Sequence, residues 1–145
     1  MNSYGGLTLP KLGYEELDRE HEEIIKQIAR VRGAMRLDLN DASRRSLCGI
    51  LEDCISYMQK HFQTEEGMML QSGYPSFAAH KQEHEVFLAR FSDLLRLTKT
   101  GSPSQAIETL NLLGNLLHHH VLGTDKPLVP HLLKSAVCDP DPRVG

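Results

Sequence analysis

No run of apolar residues in this chain is long enough to span a bilayer, which argues against an integral membrane protein. There is no basic stripe either. The 16 Lys and Arg residues are scattered and the formal net charge is -3, so nucleic-acid binding has no electrostatic basis. Cysteine is scarce and odd in number: Cys48, Cys54 and Cys138 form no CxxC pair, and free thiols in a reducing cytoplasm are the simplest reading. The segment from Met1 to Tyr14 lacks both a basic n-region and an apolar h-region, so it does not read as a signal peptide. Repeats, low-complexity tracts and useful strand-like alternation are missing too. Tryptophan is absent, with only four Phe and four Tyr, yet the chain carries eight histidines. The placement of those histidines is therefore the question to ask of a 145-residue chain that is long enough to bury one proper core.

Turn and cap residues divide the chain into four helical runs. The first is expected from Tyr14 to Leu37, followed by a loop at Asp38, Asn40 and Asp41 with helix-start chemistry. The second is expected from Ala42 to Gln71, closed by Gly73 as a left-handed cap. Pro75 and Ser76 open the third, which runs to Lys99 and is closed by Gly101. Ser102 and Pro103 give an N-cap and first-position signature for the fourth, expected to end near Leu122. Past Gly123 come Pro127, Pro130, Pro140 and Pro142, which predicts a short helical turn near Leu128 to Leu133 and then a loose tail. Short links between long helices favour antiparallel neighbours, hence an all-α, up-down-up-down four-helix bundle. The expected organisation is an arm at 1–13, the bundle at 14–133 and the tail at 134–145.

The apolar period agrees, and it carries polar residues with it. Residues spaced by alternating threes and fours form the seam that faces a bundle interior. Those series are Leu17, His21, Ile24, Ile28, Val31, Met35; Leu47, Leu51, Cys54, Met58, His61, Glu65, Met68; Phe77, His80, His84, Phe87, Phe91, Leu94; and Ala106, Leu110, Leu113, Leu117, His120. Burying an unpaired imidazole costs on the order of 1–3 kcal/mol, and a lone carboxylate costs more. Placing His21, His61, Glu65, His80, His84 and His120 inside without partners would sink a domain whose net stability is about 5–15 kcal/mol. A metal satisfies them, since it takes the imidazole lone pair and neutralises the carboxylate. His61 and Glu65 are one helical turn apart, as are His80 and His84, so each pair points one way. Asp125 lies five residues beyond His120, about 140° around an ideal helix. That offset is tolerable if Asp125 reaches a second ion or if Gly123 loosens the helix. Five imidazoles and two carboxylates are too many for one ion. With bridging carboxylates they serve two ions and leave a vacancy.

A lone seam histidine is usually a satisfied core residue, and HxxxH or HxxxE alone is a weak signal. The weight lies in the joint arrangement, with all four helices delivering a ligand from the inner face. Other residues keep plainer readings. His118 and His119 flank the seam and read as solvated or as neighbours of the ligands, and His131 as a surface residue. Glu66 is off the seam and reads as an exposed partner for a Lys or a helix neighbour. Cys54, Met68 and Met69 read as core filling. Asp18, one turn before His21, is placed either to accept a hydrogen bond from that ring or to stand as an exposed first-turn acid.

With these residues in view, the chain resembles the hemerythrin family, specifically its bacterial single-domain bacteriohemerythrins. The stretch His61-Phe62-Gln63-Thr64-Glu65-Glu66-Gly67-Met68-Met69, then Tyr74-Pro75, then His80-Lys81-Gln82-Glu83-His84, looks like the family's HFxxEExxM…YP…HxxxH segment. Asp18-Arg19-Glu20-His21 is similar to its DxxH motif, and His120 with Asp125 to its closing HxxxxD motif. The resemblance implies a non-haem di-iron centre (Fe2+/Fe3+). One iron would be held by His80, His84 and His120 and the other by His21 and His61, with Glu65, Asp125 and an oxo or hydroxo group bridging both. It implies reversible, end-on binding of dioxygen at the two-histidine iron, for storage, delivery or sensing, in an apolar pocket mapped onto Ile24, Phe62, Leu116, Leu117 and Val121. The alternative is a di-iron enzyme (an oxidase, peroxidase or nitric-oxide-handling protein) using the same site, re-reduced by a reductase. A cytoplasmic monomer, or at most a weak oligomer, is the accompanying expectation. Leu116 stands where the family usually has Trp and Glu20 where it often has Gln, which implies a looser pocket and faster autoxidation.

Overall fold

The computed structural model describes residues 3–4, 7–35 and 39–138. Four long helices make the bundle: α1 (Glu15–Ala34), α2 (Asp41–Ser72), α3 (Phe77–Thr100) and α4 (Pro103–His120). Each packs on the next, and α4 also meets α1, so the four close around one interior. A five-residue π-helical turn, Val121–Asp125, follows α4 directly and leads into α5 (Lys126–Cys138), which packs on α2. Ahead of α1, two-residue strands β1 (Ser3–Tyr4) and β2 (Leu7–Thr8) pair antiparallel, Ser3 opposite Thr8 and Tyr4 opposite Leu7. No helix among the described residues is long and apolar enough to cross a membrane.

The expected caps hold α2 in place. The Asn40 side chain accepts from the Ser43 N–H at 2.8 Å, which satisfies one free donor of the first turn. Gly73 closes the same helix at φ +67 and Gly101 closes α3 at φ +86, left-handed positions that cost other residues strain. Helix α1 stops at Ala34, short of the expected Leu37, which lies outside the described residues together with Asp38. Met35 turns to extended backbone (ψ 130) just past Gly33, a poor helix former.

The C-terminal helix is longer than the sequence suggested. Instead of a short turn near Leu128 to Leu133, α5 runs to Cys138; the rest of the expected tail, 139–145, lies outside the described residues. Pro127 follows directly on the π turn, and Pro130 is carried inside α5 at the expense of one intrahelical bond to the Lys126 carbonyl. Burial of Leu128, Val129 and Leu132 offsets that loss.

The interior has two apolar clusters with a polar band between them. The larger includes Ile24, Ile28, Leu51, Cys54, Met58, Phe62, Phe91, Leu94, Leu113, Leu117 and Val121. The smaller is Leu17, Met69, Leu128, Val129 and Leu132. Along α1, Leu17 belongs to one cluster and Ile24 to the other, with buried His21 between them. Met69 rather than Met68 is the fully buried member of its pair. Cys54 is a core residue, and burial pushes its thiol up to about 12, against a small opposing pull from Arg30.

Candidate metal centre

The polar band gathers every ligand candidate. His21, His61, Glu65, His80, His84, His120 and Asp125 are each 3% exposed or less. Potential ligand atoms within 4.8 Å of one another form two groups: Glu65, His80, His84, His120 and Asp125, and His21, His61, Glu65 and Asp125. Both carboxylates belong to both groups. Helix α1 supplies His21, α2 supplies His61 and Glu65 from successive turns, α3 supplies His80 and His84 in the same way, and α4 supplies His120.

Asp125 reaches the cluster through the π turn. The Lys126 N–H bonds to the Val121 carbonyl five residues back, so the backbone widens by one residue and Asp125 returns to the side that His120 faces. The same carboxylate oxygen, Oδ1, lies 3.0 Å from Nε2 of His120 and 2.9 Å from Nε2 of His80, while Oδ2 lies 3.2 Å from Nε2 of His21. Glu65 reaches His80 at 2.8 Å, His84 at 3.1 Å and His61 at 3.1 Å.

These approaches are close, but most are not aligned as hydrogen bonds. Nε2 of His21, His80 and His120, Oε2 of Glu65 and both oxygens of Asp125 are buried with no hydrogen-bond partner among the described residues. So many orphaned donor atoms aimed at one another would be costly in any other setting. They fit metal ions: imidazole nitrogen and carboxylate oxygen together suit first-row transition metals, and the shared carboxylates suit a pair of them.

The electrostatics show what the cluster does without cations. Burial works to lower the pKa of His61, but the carboxylates of Glu20 and Glu65 beside it prevail and hold it at about 10. His80 is held at about 9 by Asp125 and Glu65, also against burial. His21 and His120 are raised for the same reason, with Asp125 the main attraction. Asp125 is pulled down to about 2, since its histidine neighbours outweigh burial and the repulsion of Glu65, and Glu65 is likewise held well below the usual carboxylate range. An imidazole ligates only through a nitrogen free of its proton, so metal uptake at such a cluster would release protons.

Three carboxylates escaped the sequence reading. Glu20 Oε1 lies 2.8 Å from Nδ1 of His61, Glu66 Oε2 lies 2.8 Å from Nδ1 of His84, and Glu83 Oε1 lies 2.9 Å from Nδ1 of His120. Glu66 is not exposed as expected; its side chain is 20% exposed, and its partner is the His84 ring of the adjoining helix, not a Lys. Each of the three is the chain neighbour of a seam ligand, beside His21, Glu65 and His84, so each sits at the edge of its own seam and faces the adjoining helix. An acid in that position was the available signal. Asp18 takes neither expected role: its carboxylate accepts from the Leu12 N–H at 2.7 Å and the Gly13 N–H at 3.1 Å, pinning the arm to α1.

Of the five residues mapped to an oxygen pocket, Ile24, Phe62, Leu117 and Val121 lie buried in the larger apolar cluster beside the band. Leu116 packs against that cluster from its outer side. It is partly buried and lines a surface cleft of about 240 Å3 between α3 and α4, with Val86, Phe87 and His119. His118 is partly buried and His119 exposed, outside both ligand groups. His131 is not a plain surface residue: its Nε2–H donates to the Ser72 carbonyl at the end of α2 (3.0 Å), and its ring packs on Tyr74.

The family profile "Hemerythrin HHE cation binding domain" matches residues 12–132. The chain belongs to the hemerythrin family. Among its relatives, the bacteriohemerythrin of Stenotrophomonas maltophilia is 29% identical over 115 residues, covering 79% of this chain and 72% of that protein. The myohemerythrin of Theromyzon tessulatum is 30% identical over 112 residues, 77% of this chain and 79% of the relative. The bacteriohemerythrin of Methylococcus capsulatus is 33% identical over 82 residues, 57% of this chain and 63% of the relative. No solved structure gives a significant match. The cation-binding description of this hemerythrin domain agrees with the two ligand groups built from its side chains.

Proposed function

We propose that this hemerythrin binds dioxygen reversibly at a non-haem di-iron centre. In this reading His80, His84 and His120 would hold one iron and His21 and His61 the other, with Glu65 and Asp125 available to both and a solvent-derived oxo or hydroxo group completing the pair. The observation that carries the reading is the division of seven buried side chains into a group of five and a group of four that share both carboxylates. The smaller group offers one donor fewer, so an exchangeable position belongs on its side. Bound there, a pair of ferrous ions would supply the reversible electron donation that dioxygen binding needs.

The side chains of this protein do the rest. Five neutral imidazoles favour the reduced state more than a carboxylate-rich set does. Ile24, Phe62, Leu117 and Val121 form a dry apolar wall next to the band, which withholds protons and water from the bound gas and favours its return as dioxygen. Leu116 backs this wall from its outer side, where it also lines the surface cleft.

The test is iron per chain together with the optical spectrum, recorded anaerobically and then in air. Two irons per chain, with a colourless reduced form that gains an absorption band in air and loses it on deoxygenation, is the expected result. Fewer than two irons, or oxidation that deoxygenation never reverses, would overturn it.

A further inference from the structure

The three carboxylates on the histidine rings follow a rule around the bundle. Glu20 on α1 holds His61 on α2, Glu66 on α2 holds His84 on α3, and Glu83 on α3 holds His120 on α4. Each helix thus steadies a ring carried by the next. An ionised carboxylate only accepts, so the Nδ1 of each ring must carry the proton that is donated. In a neutral ring this leaves the Nε2 lone pair free, and on His61, His84 and His120 that atom is the one facing Glu65 or Asp125. Without the carboxylate, a neutral imidazole divides between two tautomers, and the one with Nε2–H cannot ligate.

Glu83 differs from the other two. Its carboxylate also accepts from the Thr124 hydroxyl, at 2.9 Å to Oε1 and 3.0 Å to Oε2. Thr124 belongs to the π turn and immediately precedes Asp125. One side chain on α3 therefore holds both ends of the segment from His120 to Thr124, next to Asp125. His120 belongs to a single ligand group, whereas Asp125 belongs to both.

We propose that Glu20, Glu66 and Glu83 are positioning residues for the metal centre, and that Glu83 alone governs both metal positions, because it fixes the π turn that presents Asp125 as well as the ring of His120. This rests on the reading that the cluster seats two cations. Glu66 acts on His84 and so on one position; Glu83 acts through Asp125 on both. A purely structural role for Glu83 would lower the melting temperature and leave both metal-binding steps at wild-type affinity.

The test uses the full metal-free chain titrated with cobalt(II) alone under anaerobic conditions, with one-metal and two-metal species counted by native mass spectrometry. Glu66→Ala is expected to weaken one step by roughly ten- to a hundredfold and leave the other unchanged. Glu83→Ala is expected to weaken both, with partial recovery in Glu83→Gln, whose amide oxygen still accepts. Thr124→Val keeps the ring contact and loosens only the turn, and it too should weaken both steps; if Glu83→Ala does not fold, this variant decides. Wild-type affinities in Thr124→Val, or a single weakened step in Glu83→Ala, would overturn the inference. A wild-type chain that takes up fewer than two cobalt ions would instead overturn the two-cation reading beneath it.

Discussion

The ring of Phe62 lies flat against the ring of His84, with centroids 3.9 Å apart and planes 12° from parallel. Phe62 thus has two neighbours of opposite character, the apolar cluster on one side and the histidine band on the other, where it also meets His61 and His120. Phe62→Ala is expected to cost about 3–5 kcal/mol of stability by opening a core cavity. It should also loosen the seating of His84, which chemical denaturation and iron content measured together will report. A variant of wild-type stability would contradict this packing role.

Leu117→Ala should keep its iron but lose the oxygenated form faster. Leu117 is 2% exposed and sits one turn before His120, so its truncation admits water to the dry wall. The check is the decay of the oxygenated band in air. An unchanged autoxidation rate would remove Leu117 from the pocket.

His61→Ala removes one of only two imidazoles in the smaller ligand group. Iron per chain should fall toward one, with loss of reversible oxygenation. Two irons and an intact spectrum would refute its role.

Asp18→Ala should cost about 1–2 kcal/mol, since the Leu12 and Gly13 N–H groups lose their acceptor. Iron content should not change, because Asp18 contacts the arm and not the ring of His21. Iron loss in this variant would show that the arm reaches the centre.

The iron-free protein should have a stability window set by the cluster. His61 and His80 are held at about 10 and about 9, above their unfolded values, so their contribution is complete below about pH 6.5 and is lost as pH rises through 9 and 10. Asp125 is held at about 2 and Glu65 is also lowered, so their contribution is complete above about pH 4.5 and is lost as pH falls toward 2. Thermal unfolding of chelator-treated protein should therefore peak between about pH 5 and 6.5 and decline on the alkaline side. Melting temperatures that stay level from pH 6 to 10 would show that these groups do not share protons.

The bundle and six of the seven clustered residues were legible because helical period alone puts them on four inner faces. The seam of α3, for example, names His80 and His84 with Phe87 and Phe91, and all four are buried. What period cannot show is a contact made sideways between helices. Glu20, Glu66 and Glu83 lie just off their seams, and only the packing of neighbouring helices decides whether such an acid meets water or an imidazole. The reach of Asp125 was half visible: the five-residue spacing from His120 pointed to a loosened helix near Gly123, and the structure supplies a π turn. The prolines misled for a local reason. Pro127 and Pro130 read as breakers, yet the apolar residues between and after them bind α5 to α2 strongly enough to carry both.

Cys54 sits two helical turns before His61 on α2, about 10 Å along the axis. Sulfur so near an oxygen-handling centre would ordinarily be the first casualty of any stray oxidant. Only the thiolate reacts quickly, and with its thiol pushed up to about 12 that form is almost absent at neutral pH. The hydrocarbon packing around Cys54 thus doubles as chemical insulation, allowing an oxidisable atom to persist inside the bundle.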